Sequence, residues 1–193
     1  MQEQQLRGLF QQTAANIAHV CEGPYLAQVV RAVDVLAEAF AAGRKLLVFG
    51  NGGSSADAHH ISAELVGRFA RERKGLPAMA LSSDPSILTS LGNDYGFDAI
   101  FERQVEAHGQ AGDVAWGIST SGNSPNVVRA MKCAQALGLR TIGLTGMAGG
   151  AMAGYCEVLM AVPLKETPRI QEIHLLTYHS ICAGVEERVF GEK

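Results

Sequence analysis

Residues 46–68 read LLVFGNGGSSADAHHISAELVGR, and this stretch decides the fold. An apolar run typical of a buried strand enters a Gly/Ser turn, and a segment with helical character follows. In an open α/β sheet, ligands bind outside the carboxyl ends of the strands, which is where this turn lies. Glycines let the backbone approach an anion closely, and a helix N-terminus favours negative charge. The turn is therefore a candidate anion site.

A second turn of this kind follows another apolar run, in DVAWGISTSGNS at residues 113–124. Hydroxyl side chains in the two turns can add donors, in particular those of Ser54, Ser119, Thr120, Ser121 and Ser124. Taken singly, each turn is equally compatible with an ordinary helix N-cap. Two of them after separate strands favour one anionic small ligand, such as a phosphorylated metabolite. Neither the lysine-containing phosphate loop of nucleotide-binding proteins nor the dinucleotide fingerprint is present in GNGGSS, which disfavours nucleoside triphosphates.

Short apolar runs separated by helix-compatible segments predict an α/β fold, a three-layer α-β-α sandwich around a five-stranded parallel sheet. The runs are residues 45–49, 78–81, 113–118, 140–144 and 158–162. Two amphipathic helices, residues 2–20 and about 24–42, precede the sheet, and one long helix from Pro168 to about Phe190 ends it. We expect a single domain over residues 1–193, with residues 1–42 a helical pair used in packing or oligomerisation.

Composition excludes several functional classes. The net charge of −3 and the isoelectric point near 6.1 leave no basic surplus for nucleic acid. The four cysteines are scattered without C-x-x-C spacing, which is typical of reduced cytosolic thiols. The N-terminus lacks the apolar core of a secretory signal, and no segment is long enough to span a membrane. We expect a soluble, cytoplasmic protein with no nucleic-acid or membrane partner.

His60 and Glu64 are four residues apart on the helix predicted after the first turn, so both lie on one helix face. They can share a metal ion or contact one substrate. An exposed His/Glu pair is the alternative, but the position of this helix behind the anion turn favours a functional site. His59 points about 100° away and is less suited to the same site.

The last predicted helix carries Gln171, His174 and His179 among apolar neighbours. Gln171 and His179 are eight residues apart, about 12 Å along the axis, so one ion does not easily reach both from a single helix. If both serve the same kind of site, one of them comes most simply from a neighbouring subunit, which predicts active sites at interfaces. His174 is interpreted as a packed or solvated helix histidine.

The segment between the two turns contains Asp84-Pro85, which can initiate a turn or a short helix. The cluster GNDYG at residues 92–96 predicts a loop whose polar side chains are able to bind sugar hydroxyls. Plain loop chemistry is the alternative.

Four motifs occur in order along the chain: GNGGSSADAHHISAEL, LGNDYGF, ISTSGNSPNV and RIQEIHLLTYH. With them the chain resembles the phosphoheptose isomerases, or sedoheptulose 7-phosphate isomerases, of the sugar isomerase (SIS) domain superfamily, over nearly its whole length. The resemblance implies a flavodoxin-like strand order and a homotetramer. It implies substrate contacts from Asn51, Gly52, Gly53, Glu64, Asn93, Asp94, Ser119, Thr120, Ser121, Ser124 and Gln171. It also implies one zinc ion per subunit, bound by His60, Glu64, Gln171 and His179.

The activity implied by the resemblance is aldose–ketose isomerisation of sedoheptulose 7-phosphate to D-glycero-D-manno-heptose 7-phosphate through an enediol-type intermediate. The product would feed bacterial nucleotide-activated heptose synthesis, commonly for lipopolysaccharide core. We assign Glu64 as the base and His179 as the partner acid. A residue bound tightly to zinc is a poorer proton carrier, so Glu64 needs to exchange between two roles. Some members carry an acidic residue where this chain has Pro168.

Two other functions are compatible with the same fold. One is a non-enzymatic tetrameric SIS-domain regulator that binds the replication initiator protein and need not retain the acid/base and metal set. The other is a sugar-phosphate sensor that binds its ligand without turning it over. Retention of His60, Glu64, Gln171 and His179 favours the enzyme.

Overall fold

A computed structural model describes residues 2–191, and its centre is a five-stranded parallel sheet. The strands are β1 (Leu46–Gly50), β2 (Ala78–Ala80), β3 (Val114–Ser119), β4 (Arg140–Thr145) and β5 (Val158–Ala161). Their spatial order is β2-β1-β3-β4-β5, and every neighbouring pair is parallel. This is the flavodoxin-like order, so the predicted sheet is confirmed.

Seven α-helices surround the sheet. They are α1 (Glu3–Cys21), α2 (Tyr25–Ala41), α3 (Gly53–Val66), α4 (Pro85–Tyr95), α5 (Glu102–His108), α6 (Pro125–Ala136) and α7 (Thr167–Phe190). Two short 3-10 helices, Phe97–Ala99 and Gly150–Tyr155, complete the set for residues 2–191. No helix in that range has the length and apolar content needed to cross a bilayer.

The alternation of side chains along β1 shows that both faces of the sheet are buried. Leu46 and Val48 belong to a core with residues of α2, α3 and α7, whereas Leu47 and Phe49 belong to a second core with residues of α5 and α6. Successive side chains of a strand point to opposite faces, so a strand covered on both sides reads as a continuous apolar run. The three-layer sandwich predicted from such runs is confirmed.

The two leading helices differ in how they pack. Helix α2 buries eight residues, among them Val35 and Leu36, and lies against α7 and β5. Helix α1 buries only Val20, although it carries an apolar stripe. Four members of that stripe are exposed: Leu6, Leu9, Phe10 and Ile17.

The loop predicted at residues 92–96 is wrong for most of its length, because α4 continues to Tyr95. The Asp84 side chain accepts hydrogen bonds from the backbone N–H groups of Ser86 and Ile87, and Pro85 occupies the first turn. Both features stabilise the N-terminus of the helix. It ends only at Gly96, whose φ of 84° lies in the left-handed region that favours glycine. The polar residues before Gly96 are therefore the last turn of a helix.

The order of the strands creates a crevice at the carboxyl ends of β1 and β3. These two strands are neighbours, paired from Leu46↔Val114 to Gly50↔Ile118, but the chain leaves them in opposite directions, to β2 on one side and β4 on the other. Such a topological switch point is where open α/β sheets bind ligands. Both turns predicted from the sequence lie at this crevice.

Candidate active site

The first turn brings the backbone of Gly52 and Gly53 to the surface at the start of α3. Gly50 packs so closely that an added Cβ would lie 2.8 Å from the Ile118 carbonyl oxygen, so no larger residue fits. Gly52 has a φ of 55°, a conformation that L side chains rarely adopt. Ser54 lies buried in the first turn of α3. The exposed part of the turn is therefore backbone at a helix N-terminus, which suits an anion.

The second turn gathers three hydroxyl groups. The Ser119 Oγ lies 3.0 Å from the Ser124 Oγ and 3.4 Å from the Ser121 Oγ. Gly122, with a φ of 66°, packs backbone to backbone against Gly149, whose oxygen would lie 2.0 Å from an added Cβ. This contact leaves the turn little freedom to move. Ser119, Ser121 and Ser124, three of the predicted hydroxyl donors, thus lie together at the end of β3, and Thr120 lies beside them.

A pair of side-chain amides connects the two turns. The amide nitrogens of Asn51 and Asn126 each donate to the other residue's amide oxygen, both at 2.9 Å. Asn126 is almost completely buried in the first turn of α6. Sequence reasoning did not find Asn126. Its position two residues after the hydroxyl-rich turn was the available signal.

Three side chains converge on one point between α3 and α7. The His60 Nε2 lies 2.9 Å from the Glu64 Oε1 and 3.5 Å from the His179 Nε2. One ligand atom from each residue falls within 4.8 Å of the other two. Two imidazole nitrogens and a carboxylate oxygen are a donor set that suits Zn²⁺. The predicted His60/Glu64 face is confirmed, and α7 adds His179 to it from the same chain.

Tyr178 and Asp57 lie behind the His60 ring. The Tyr178 hydroxyl is 3.0 Å from the His60 Nδ1, so it holds the imidazole on the side away from Glu64. Burial raises the pKa of Asp57 to about 6, against the opposing effects of nearby His60 and of a hydrogen bond with Tyr178. Burial, and after it the charge of Asp57, also raises the pKa of Tyr178. Contacts of this kind fix the orientation of a metal-binding imidazole. Neither residue was identified from the sequence.

Gln171 lies at the other end of the same helix pair. Its Nε2 would be 2.3 Å from a Cβ on Gly53, so the amide rests on the N-terminus of α3. Helices α3 and α7 therefore run side by side in the same direction, with Gly53 facing Gln171 and His60 facing His179. The structure brings Gln171 to the first turn and His179 to the His60/Glu64 pair, about 12 Å apart along α7 at a helical rise of about 1.5 Å per residue.

A buried ion pair anchors the segment that follows α3. Glu186 on α7 accepts hydrogen bonds from the backbone N–H groups of Phe69, Ala70 and Arg71 and from the Arg73 Nε. Burial by itself would raise the pKa of Glu186, but these hydrogen bonds outweigh it and lower the pKa.

Arg73 also donates to backbone oxygens at the end of α3, including that of Glu64 at 2.8 Å. The Phe69 ring lies 5.6 Å from the His179 ring. The ion pair therefore ties α3 and the Phe69 segment to α7.

The remaining predicted residues lie apart from this cluster. Asn93 and Asp94 are exposed in the last turn of α4, where the Asn93 amide donates to the Asp94 carboxylate. The His59 Nε2 lies 3.1 Å from the Ser82 Oγ, on another face of α3 from His60. His174 is fully buried with its Nε2 3.2 Å from the Thr145 oxygen, and burial lowers its pKa to about 4 despite that hydrogen bond. Its interpretation as a packed histidine is confirmed.

Comparison with known proteins places this geometry in a family. The model of the SIS domain family matches residues 10–146. A phosphoheptose isomerase of Synechocystis sp. is 50% identical over 183 residues, covering 95% of this chain and 94% of that protein. One from Pelobacter propionicus is 59% identical over 156 residues, covering 81% and 82% of the two chains.

Solved structures agree with these relatives. The phosphoheptose isomerase of Neisseria gonorrhoeae superposes with a TM-score of 0.90 at 39% identity, covering 96% of this chain and 98% of that one. That of Francisella tularensis gives 0.89 at 33% identity, covering 97% and 100%. The chain therefore belongs to the phosphoheptose isomerase family of SIS-domain proteins.

Proposed function

We propose that this protein is an aldose–ketose isomerase that converts sedoheptulose 7-phosphate to D-glycero-D-manno-heptose 7-phosphate. The observation that carries the proposal is the convergence of His60, Glu64 and His179 at α3, a helix whose N-terminus is one of two turns suited to an anion. Relatives up to 59% identical bear the name of this enzyme. The product supplies nucleotide-activated heptose synthesis, commonly for lipopolysaccharide core.

The reaction moves a proton between adjacent carbons through an enediol-type intermediate. Glu64 serves as the base that removes and returns this proton, and His179 serves as the acid that protonates the neighbouring oxygen. Both side chains are partly exposed, so a sugar can reach them. The Tyr178 hydroxyl keeps the His60 ring in place. Glu64 exchanges between its role as a metal ligand and its role as the base.

We propose one zinc ion per subunit, held by His60, Glu64 and His179 with Gln171. The two imidazole nitrogens and one carboxylate oxygen that converge here fit this ion. When bound, Zn²⁺ supplies a Lewis acid that polarises the substrate carbonyl. Glu64 and Gln171 contact the substrate as well.

The phosphate and the sugar hydroxyls have separate binding groups in this proposal. Ser119, Thr120, Ser121 and Ser124 hold the phosphate, together with the turn formed by Asn51, Gly52, Gly53 and Ser54. The Ser121 and Ser124 hydroxyls both lie within hydrogen-bonding distance of the Ser119 hydroxyl, which supports a common ligand. Asn93 and Asp94 bind sugar hydroxyls.

We propose a homotetramer with active sites at subunit interfaces. The exposed apolar stripe of α1 supports it, because a second copy of the chain would bury this surface. Gln171 lies about two turns from His179 on α7, which also supports a contribution from a neighbouring subunit to each zinc site.

We expect the protein to act in the cytoplasm, in keeping with its four unpaired cysteines.

The test of the proposed function follows sedoheptulose 7-phosphate by NMR with purified protein, with and without a chelator. We expect formation of the aldose product, lost on metal removal and restored by Zn²⁺. Glu64→Gln should lower kcat by at least about 100-fold, because a catalytic base contributes at least that much. Circular dichroism checks that the fold is retained.

Glu72→Gln is the matched control, since Glu72 is 92% exposed and pairs only with Arg68 among the described ion pairs. Near-normal turnover in Glu64→Gln would contradict the assignment of Glu64 as the catalytic base. Tight binding of the sugar phosphate without proton exchange would favour a sensor. Capture of the replication initiator protein by a zinc-free, inactive chain would favour the regulator.

A further inference from the structure

Asn51 and Asn126 form two reciprocal side-chain hydrogen bonds across the switch point. Each amide nitrogen donates at 2.9 Å to the opposite amide oxygen, and the Asn126 Oδ1 also accepts from the backbone N–H of Val127 at 2.9 Å. Asn126 is only 1% exposed. Leaving a buried polar side chain without a hydrogen-bond partner is costly, so the contact with Asn51 stabilises Asn126 in its position.

The position of the pair matters more than its strength. Asn51 directly follows β1 and precedes the Gly52-Gly53 backbone, while Asn126 follows the Ser119–Ser124 turn in α6. The pairing of strands β1 and β3 ends at Gly50↔Ile118, so no strand ladder connects the two turns beyond that point. The amide pair is thus a bridge between the two turns just past the end of the strand ladder.

The pair also changes the role expected of Asn51. Its amide group is already engaged by Asn126, so the part of this turn most open to a ligand is the backbone of Gly52 and Gly53. Backbone groups bind a phosphate well only when their placement is set in advance, because ordering them on binding costs affinity.

We propose that Asn126 is a positioning residue: through Asn51 it holds the Gly52-Gly53 backbone at the correct distance from the hydroxyls of the Ser119–Ser124 turn, so that both turns bind the same phosphorylated sugar. This inference rests on the proposed function. Asn126 itself does not touch the reacting atoms, since it is buried beneath the turns.

The test compares wild type with Asn126→Ala in two measurements. Calorimetric titration with inorganic phosphate reports the turns alone, and steady-state kinetics with sedoheptulose 7-phosphate separates KM from kcat. We expect Asn126→Ala to weaken phosphate binding and raise KM by about 10-fold each, with kcat changed less than about threefold, because ground-state positioning is lost while the base and acid remain. Asn51→Ala breaks the same pair from its more exposed side and replaces Asn126→Ala if that variant does not fold.

Gln104→Ala is the matched control, because Gln104 in α5 is also a buried amide but donates to the backbone oxygen of Ile100, just before that helix. It should lower stability without changing phosphate affinity. The double variant Asn51→Ala/Asn126→Ala should lose no more affinity than the more severe single variant, as expected for residues that act as a unit.

Phosphate affinity and KM within about twofold of wild type in Asn126→Ala would overturn the inference, as would an equal loss in Gln104→Ala or fully additive losses in the double variant. Failure of wild type to isomerise the sugar phosphate would instead count against the proposed function, since the phosphate titration needs no turnover.

Discussion

Gly53 has no side chain, and this leaves room for the Gln171 amide to rest on the N-terminus of α3. A Cβ at this position would lie 2.3 Å from the Gln171 Nε2, so Gly53→Ala must push the amide away from the N-terminus of α3. The displaced atom is the end of a flexible side chain, and alanine is favourable in a helix, so the fold should survive. We expect the KM for sedoheptulose 7-phosphate to rise by about 10-fold, because Gln171 is a proposed substrate contact. Steady-state kinetics, with melting temperature measured in parallel, checks this.

Gly8→Ala is the control for Gly53→Ala. Gly8 lies in the exposed part of α1, and nothing is within 4 Å of an added Cβ. This change should leave KM at the wild-type value. An unchanged KM in Gly53→Ala would mean that the Gln171 amide, where it rests against the N-terminus of α3, has no role in substrate binding.

At the scale of elements, the relation between α3 and α7 decides whether His60 and Glu64 meet His179. Glu186 holds the segment after α3 through three backbone N–H groups and the buried Arg73. Glu186→Gln leaves the Arg73 charge buried without its partner, and we expect it to lower the free energy of unfolding by about 3 kcal/mol. For a chain of this size the loss corresponds to roughly 6–12 °C in melting temperature. Thermal and urea unfolding measure it.

The pH dependence of that loss has a definite sign. The pKa of Glu186 is lower in the folded chain than in the unfolded one, so its stabilisation is present above the unfolded value and is lost as the pH falls through the folded value. The difference between wild type and Glu186→Gln should therefore shrink as the pH falls below about 4.3. Glu187→Gln is the control, because Glu187 is 61% exposed in its pair with Arg71 and should change stability little. Equal effects of the two changes would contradict the role given to Glu186.

At the scale of the whole molecule, the surface of α1 is unusual for a helix that packs on its own domain. Phe10 is 78% exposed, and Leu6, Leu9 and Ile17 lie exposed on the same helix. If these residues form a subunit interface, Phe10→Glu places a charge in it and should reduce the tetramer to a smaller species. Sedimentation velocity measures the mass, and the activity assay reports whether the active sites depend on assembly.

Gln11→Glu adds the same charge at the next exposed position of α1 and should leave the tetramer intact. A wild-type mass equal to a single chain of 20.5 kDa would contradict the proposed assembly. A tetramer that persists in Phe10→Glu would place the interface on a surface other than α1.

The sequence by itself determined the sheet and the local parts of the site. Continuous apolar runs predict strands covered on both faces, and His60 and Glu64 meet because residues four apart on a helix are neighbours. Local signals were misleading at α4. The polar residues 92–96 predicted a loop, but they lie at the end of a helix that is capped by Asp84 at its start and by Gly96 at its end.

Only the tertiary structure decided how distant residues complete the site. Asn126 meets Asn51 across 75 positions, Tyr178 meets His60 across 118, and Glu186 meets Arg73 across 113. Such contacts depend on which strands lie side by side and on how α3 and α7 align. Hydrophobic burial sets that arrangement for the whole chain at once, and no short stretch of sequence encodes it.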